Sequence, residues 1–202
     1  MQHLHDHETQ HRDLKAENCL VVPEDGQYRV KITDFGLSKS KTVATQTDER
    51  SVGTQTHMAP EIFADNAQKS NEDREKSDVY SYGIVMYEVV SRKLPWAGND
   101  GAQIIAAVMA GRRPSPTPPN TPRALIELME ECWAHDTAMR PTFTRTVEAL
   151  QDAAESMGIP TGLLQHNLSP LMFPRGFDSV VAYASQMSLP TSLRPRPMEQ
   201  RY

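Results

Sequence analysis

The sequence predicts a mainly α-helical domain that carries one small β-hairpin. Residues 78–91 are apolar on nearly every side of a helix, which indicates a buried central helix. Nearer the N-terminus, residues 20–22 form a short β-prone run and residues 28–32 alternate with period two. The turn-forming residues 24–27 separate these two runs, so the three segments together predict a hairpin.

Capping residues and prolines indicate where the helices begin and end. Three further helices are predicted after the central one, at residues 100–111, 122–135 and 143–156. Ser77 or Asp78 is the candidate N-cap of the central helix. The proline run at 114–119 ends the next helix, because proline cannot continue the hydrogen-bond ladder. Thr121 is expected to cap the following helix and Pro122 to open it.

Polar segments separate these elements and follow the last of them. Residues 38–55 and 64–76 lack apolar periodicity and are predicted to be loops. Beyond residue 156, scattered proline, serine, methionine and arginine replace any sustained periodicity. We therefore expect one domain at residues 1–156 and a disordered tail at residues 157–202.

Composition excludes several classes of protein. A chain of 202 residues with 38% hydrophobic residues is long enough to bury a core, and its net charge of −5 does not favour nucleic acid as a partner. Its two cysteines, Cys19 and Cys132, are too few for a disulfide framework, so we expect free thiols in a reducing compartment. The most apolar run, residues 83–90, is interrupted by Glu88 and is too short to span a bilayer. The sequence thus predicts a soluble cytoplasmic protein without membrane insertion.

Three short motifs carry the chemistry. Residues 11–18 read His-Arg-Asp-Leu-Lys-Ala-Glu-Asn, directly before the hairpin. Asp34-Phe35-Gly36 begins sixteen residues after Asn18, at the far end of the hairpin, and Ala59-Pro60-Glu61 follows later. In this order and spacing the sequence resembles the eukaryotic protein kinases, specifically the C-terminal lobe of the serine/threonine type in the tyrosine-kinase-like group.

The resemblance implies a role for five residues around bound ATP and Mg²⁺. Asp13 would orient the acceptor hydroxyl and take its proton, and Lys15 would lie against the γ-phosphate. Asn18 and Asp34 would be the metal ligands, since their oxygens suit magnesium. Leu20 would form the floor of the adenine pocket. Without the resemblance, Asp13, Asn18 and Asp34 would be ordinary loop and turn residues, and Leu20 an interior leucine.

The resemblance also implies structural partners. Residues 11–18 would form the catalytic loop, and Asp78 would accept hydrogen bonds from its backbone. Glu61 would pair with Arg140. Thr54 would bond to the catalytic aspartate and lysine, as in kinases whose protein substrates carry serine or threonine acceptors. The activation loop would be the segment between Asp34-Phe35-Gly36 and Ala59-Pro60-Glu61. A phosphate on it would pair with Arg12. The candidate hydroxyls for that phosphate are Thr42, Thr45, Thr47 and Ser51.

Two features depart from the family pattern. Only Gly26, Gly36 and Gly53 lie in the first 60 residues, so no glycine-rich phosphate loop is found there. We therefore expect a fragment that lacks the N-terminal lobe and binds nucleotide weakly. At residues 55–57, Gln-Thr-His replaces a stretch that usually ends in a bulky aromatic residue before Met58, and this change is expected to alter substrate docking.

Two other functions remain open at this point. The chain is predicted to be part of a kinase that transfers the γ-phosphoryl group of Mg-ATP to proteins, but without an N-terminal lobe it is alternatively a non-catalytic scaffold. A third hypothesis is metal binding by the four N-terminal histidines, since three of them follow the i, i+4 spacing of a helix face. These histidines are His3, His5, His7 and His11.

Overall fold

A computed structural model of the chain describes residues 1–24, 27–34, 52–64, 71–115 and 117–159. Within these ranges the architecture is mainly helical, with one two-stranded antiparallel sheet. The helices are α1 (Gln2–Asp6), α2 (Pro60–Phe63), α3 (Asn71–Ser91), α4 (Gly101–Met109), α5 (Arg123–Cys132) and α6 (Phe143–Ser156). The strands are β1 (Cys19–Glu24) and β2 (Gln27–Ile32), and short 3₁₀ helices occur at Ala16–Asn18, Val52–His57 and Thr137–Met139.

The predicted hairpin is confirmed. The two strands pair antiparallel from Cys19 opposite Ile32 to Glu24 opposite Gln27, so each strand is longer than the sequence indicated. Val21 and Val30 are cross-strand partners and each is 62% exposed. One face of the hairpin therefore presents an apolar pair to its surroundings. The turn residues 25–26 lie outside the described ranges.

Helix α3 is the centre of the core, as its apolar composition predicted. Val79, Tyr80 and Ile84 are each at most 1% exposed. Helix α5 packs against α3, and Gly83 makes this approach possible because a Cβ there would lie 3.1 Å from the Cβ of Cys132. The close contact of the two helices thus depends on a residue without a side chain.

The start of α3 corrects both the predicted loop and the predicted N-cap, since Ser77 and Asp78 lie inside the helix. The helix begins at Asn71, so the loop predicted for residues 64–76 is wrong over its last six residues. This part is polar and has no apolar periodicity, but tertiary contacts hold it in the helix. Thr137 Oγ1 donates to Asp73 Oδ1 at 3.3 Å, and Lys76 Nζ donates to the carbonyl of Arg140. Similarly, residues 52–55 belong to a 3₁₀ helix and not to a loop.

The later helices agree with the predictions except at α5. That helix begins at Arg123, after Pro122 and without a side-chain cap, so Thr121 is not its cap. It ends at Cys132 and not near residue 135, because the next carbonyls are bound by arginines: Arg113 Nε donates to the carbonyl of Trp133 at 2.7 Å. Helix α6 has the predicted bounds.

Both cysteines are free thiols, as predicted, with Cys132 buried and Cys19 partly buried. None of the helices in the described ranges is long and apolar enough to cross a membrane. Residues 160–202 lie outside these ranges, and the disordered tail stays a prediction.

Candidate active site

The backbone of residues 11–13 is held by a buried carboxylate on α3. Asp78 is 1% exposed, and its two oxygens accept hydrogen bonds from the N–H groups of His11 and Arg12, both at 2.8 Å. Arg12 has a φ of 69°, in the left-handed region that a side-chain-bearing residue seldom adopts. The predicted contact of Asp78 with this loop is therefore confirmed, and it stabilises an otherwise unfavourable turn.

His11 ties the same loop to the end of β2. Its Nδ1 atom accepts from the N–H of Asp13 at 3.3 Å, so Nε2 carries the ring proton and donates to the carbonyl of Thr33 at 2.9 Å. Thr33 in turn donates its N–H to the carbonyl of Asn18 at 2.8 Å. The loop, the start of β1 and the end of β2 thus form one hydrogen-bonded unit.

Asp13, Lys15 and Asn18 are brought into direct contact. Lys15 Nζ lies 2.8 Å from Asp13 Oδ2, and Asn18 Nδ2 donates to the same oxygen at 3.1 Å and to the Asp13 carbonyl at 2.7 Å. Asp13 is only 6% exposed. Its other oxygen, Oδ1, is buried and has no hydrogen-bond partner within the described part of the chain. A buried carboxylate oxygen without a donor is costly, so this atom is suited to receive a donor from a ligand.

The other two predicted site residues lie outside this contact. Asp34 directly follows Thr33, is exposed, and has a φ of 63°. It is therefore linked to Asn18 only through the neighbouring backbone. Leu20 lies on β1 and is 41% exposed, and so is not an interior leucine. Phe35 and Gly36 are outside the described ranges.

The side chain of Arg12 is partly buried and lies near the positive charge of Arg74. Burial lowers the pKa of Arg12, the charge of Arg74 lowers it further, and Asp78 acts in the opposite direction. Its guanidinium donates to Gln10 Oε1 at 3.0 Å. The four candidate phosphorylation sites predicted to pair with Arg12 lie outside the described ranges, and the side chain of Thr54 is not described.

The predicted pair of Glu61 and Arg140 is confirmed and is bidentate. Arg140 Nη1 lies 2.6 Å from Glu61 Oε1, and Nη2 lies 2.8 Å from Oε2. Arg140 also donates to the carbonyls of Lys76 and Ala134, at 3.0 and 2.8 Å. One buried arginine thus joins α2, α3 and the segment that follows α5.

The N-terminal histidines have other partners than a metal ion. His5 Nε2 lies 3.0 Å from Asp78 Oδ2, and His7 Nδ1 lies 2.8 Å from the carbonyl of His3. Across the described part of the chain, no group of three or more histidine, cysteine, aspartate or glutamate side chains is placed to hold a metal ion. The geometry therefore offers no support for the metal-binding hypothesis.

One buried polar pair was missed by the sequence reasoning. His57 Nε2 lies 3.0 Å from Glu88 Oε2, and both side chains are at most 9% exposed. Its signal was present in two separate places: a charged residue interrupts the apolar run of α3, and a histidine replaces an aromatic residue before Met58. Nothing in the sequence alone connects two residues that are 31 positions apart.

Comparison with known proteins decides the family. The family model for protein tyrosine and serine/threonine kinases matches residues 1–150. The chain belongs to the protein kinase family. The predicted family and its mainly helical fold with one hairpin are thereby confirmed.

Several curated kinases are similar to this chain. The serine/threonine-protein kinase CTR1 of Arabidopsis thaliana is 36% identical over 72% of the chain, and STY46 of the same plant is 38% identical over 78%. Both belong to the tyrosine-kinase-like group. The probable serine/threonine-protein kinase drkC of Dictyostelium discoideum is 38% identical over 70%. The matched regions cover only 17%, 26% and 18% of these three relatives, so the chain corresponds to a small part of each kinase.

Proposed function

We propose that the chain contains the C-terminal lobe of the kinase domain of a protein serine/threonine kinase, which transfers the γ-phosphoryl group of ATP to serine or threonine hydroxyls of proteins. The observation that carries the proposal is the difference between the two oxygens of the Asp13 carboxylate. One oxygen is bound by Lys15 and Asn18, and the other is buried without a partner among the described residues. This division orients the carboxylate and leaves one acceptor for a substrate.

In the proposed reaction, a substrate hydroxyl donates a hydrogen bond to Asp13 Oδ1. As the new bond between the hydroxyl oxygen and the γ-phosphorus forms, the bond from that phosphorus to the leaving ADP oxygen breaks, and the hydroxyl proton moves to Asp13. Lys15, 2.8 Å from the same carboxylate, would supply positive charge beside the transferred group. Positioning and charge are the main contributions a protein makes to this reaction.

The residues present fit magnesium. Asn18 donates its amide nitrogen to Asp13, so its side-chain oxygen is directed away from that carboxylate, and Asp34 presents an exposed carboxylate just beyond Thr33. These are hard oxygen ligands that Mg²⁺ prefers. Bound magnesium would neutralise charge on the phosphate oxygens of ATP.

The proposal includes partners that the described residues do not contain. An N-terminal lobe would hold the nucleotide over Leu20, and protein substrates with serine or threonine would approach Asp13. A phosphate on Thr42, Thr45, Thr47 or Ser51 would pair with Arg12, whose neighbour Arg74 adds positive charge. A cytoplasmic location belongs to the same proposal and is tested by cell fractionation.

The test compares Asp13→Asn with a control of equal charge change. The protein is purified with the N-terminal lobe that the proposal assigns to it. Transfer of labelled γ-phosphate from ATP to a mixture of serine, threonine and tyrosine peptides is then measured. Asp13→Asn should lower transfer by about 10²- to 10⁴-fold. Asp152→Asn, at an exposed position of α6, should leave it unchanged.

Two outcomes would overturn the proposal. Equal activity of Asp13→Asn and wild type would remove the role of Asp13. No transfer by the wild-type protein would favour the non-catalytic scaffold.

A further inference from the structure

The side chain of Gln10 is buried although it carries a polar amide. Gln10 is 3% exposed and directly precedes the catalytic loop. Its Oε1 atom accepts two hydrogen bonds from the guanidinium of Arg12, from Nη2 at 3.0 Å and from Nε at 3.3 Å. Within the described part of the chain, no other group donates to this oxygen. A buried amide oxygen needs a donor, and Arg12 is the residue that supplies it.

The guanidinium of Arg12 depends on Gln10 in turn. None of the ion pairs among the described residues includes Arg12. Burial is the main cause that lowers the pKa of Arg12, and the charge of Arg74 lowers it further. Asp78 acts in the opposite direction, but its carboxylate binds the backbone N–H of Arg12 and not the side chain. A partly buried cation needs an acceptor inside the protein, and Gln10 provides one that is neutral.

The two hydrogen bonds use one particular edge of the guanidinium. Gln10 occupies the edge formed by Nε and Nη2, where a guanidinium can bind two oxygens of an anion side by side. Nη1 makes no hydrogen bond to any described residue, so the far end of the guanidinium stays open. An anion that approaches Arg12 must therefore displace Gln10 or bind at that far end.

The same contact bears on the backbone just before Asp13. Arg12 has a φ of 69°, and its N–H donates to Asp78 Oδ1 at 2.8 Å. The side-chain contact between Gln10 and Arg12 spans the same turn, because the two residues are only two positions apart. A left-handed turn at a residue with a side chain persists only when its surroundings hold it. Gln10 thus holds this turn through the Arg12 side chain, while Asp78 holds it through the backbone.

We propose that Gln10 is a positioning residue that acts in place of an anion on Arg12: its amide oxygen holds the guanidinium, and thereby the turn before Asp13, when no phosphate is bound there. The inference rests on the proposed kinase function. It implies that a phosphate on the activation loop changes the rate of catalysis little, because an acceptor for Arg12 is already present.

Three substitutions separate this role from simple filling of space. Gln10→Met keeps the length and shape of the side chain and removes the oxygen, whereas Gln10→Glu keeps an oxygen of the same reach and adds a charge. Arg12→Gln removes the guanidinium. Gln151→Met is the matched control, because Gln151 is partly buried on α6 and its side chain makes no hydrogen bond to the described residues.

Sulfate binding to the 202-residue chain tests the contact without catalysis. In an NMR titration at constant ionic strength, Gln10→Met should bind sulfate about tenfold more tightly than wild type, because the guanidinium edge is then open. Gln10→Glu should bind sulfate about tenfold more weakly, since its carboxylate neutralises Arg12. The gain in Gln10→Met should vanish when Arg12→Gln is added, and Gln151→Met should match wild type. Equal affinity in wild type and Gln10→Met would overturn the proposal in favour of packing alone.

The kinetic test uses the protein purified with its N-terminal lobe and treated with a phosphatase. Treated wild type should keep its kcat within about threefold of the untreated protein. Treated Gln10→Met should lose about tenfold in kcat, with both KM values within about threefold of wild type, and Gln10→Glu should restore the rate. An unchanged kcat in treated Gln10→Met, or a tenfold loss in treated wild type, would overturn the role in positioning.

Failure of the proposed function gives a different result from failure of this inference. A wild-type protein that transfers no phosphate would refute the kinase function and with it the effect of Gln10 on kcat. The order of sulfate affinities, with Gln10→Met above wild type and Gln10→Glu below it, would still establish that Gln10 acts in place of an anion on Arg12.

Discussion

Replacing Glu61 by glutamine should strongly destabilise the protein. The substitution keeps the size of the side chain and removes the charge that faces Arg140, whose own side chain is 0% exposed. Breaking one partner of a buried ion pair costs about 3–5 kcal/mol. Glu61 is 17% exposed, and Arg140 keeps its bonds to the carbonyls of Lys76 and Ala134, so we expect the lower limit, about 3 kcal/mol.

The assay is thermal and urea unfolding of the 202-residue chain. For a chain of this size a loss of 3 kcal/mol corresponds to a decrease in Tm of roughly 6–12 °C. Arg123→Gln is the matched control, because Arg123 and Glu127 form a pair of similar length, 2.7 Å, with side chains that are 89% and 53% exposed. That substitution should cost less than about 0.5 kcal/mol.

A double-mutant cycle then distinguishes a direct interaction from a local disturbance of α2. If Glu61 and Arg140 interact as the geometry indicates, the unfolding free-energy changes of Glu61→Gln and Arg140→Gln should not add up. Their sum should differ from the change measured for the double variant by about 1 kcal/mol or more. Additive changes, or a cost for Glu61→Gln no larger than that of Arg123→Gln, would refute the reasoning that burial makes this pair important.

Three other predictions concern α3 and its neighbours. Asp78→Asn should cost about 2–3 kcal/mol in urea unfolding, because an amide can accept from only one of the two N–H groups of His11 and Arg12; an unchanged midpoint would contradict this. Gly83→Ala should lower stability by about 1 kcal/mol, since overpacking against the backbone of α5 outweighs the gain in helix propensity; a higher Tm would show the reverse. Burial raises the pKa of Cys132 to about 12 from 9.0, so the folded chain binds more protons than the unfolded chain between these values, and stability should fall as pH rises through that window. Urea midpoints at increasing pH, compared with those of Cys132→Ala, measure this contribution.

Much of the site could be predicted because its chemistry is local. Asp13, Lys15 and Asn18 lie within six residues, and one tight loop followed by a 3₁₀ turn brings them into contact. The hairpin was equally predictable, since turn residues and alternating strands are neighbours in the sequence. The family resemblance added the partners Asp78 and Arg140, whose contacts with the loop and with Glu61 the geometry confirms.

The sequence-based predictions failed where contacts between distant segments stabilise a helix or end it. Residues 71–76 are polar and look like a loop, but contacts of Asp73 and Lys76 with residues 137 and 140 extend α3 through them. Helix α5 ends early because Arg113, twenty residues before Trp133, binds its carbonyl. Helix propensity is a weak preference, and tertiary contacts of this kind override it.

The amino-acid pattern alone was enough for the helical class, the hairpin and the choice of Asp13, Lys15 and Asn18 as candidate site residues, because each depends on neighbours within a few positions. Only the tertiary structure decided which polar groups are buried together. The main examples are the pair of His57 and Glu88 and the buried oxygen of Asp13, which has no partner among the described residues. A side chain's partner across 31 residues depends on how helices pack, and packing is a property of the whole core and not of any local spacing.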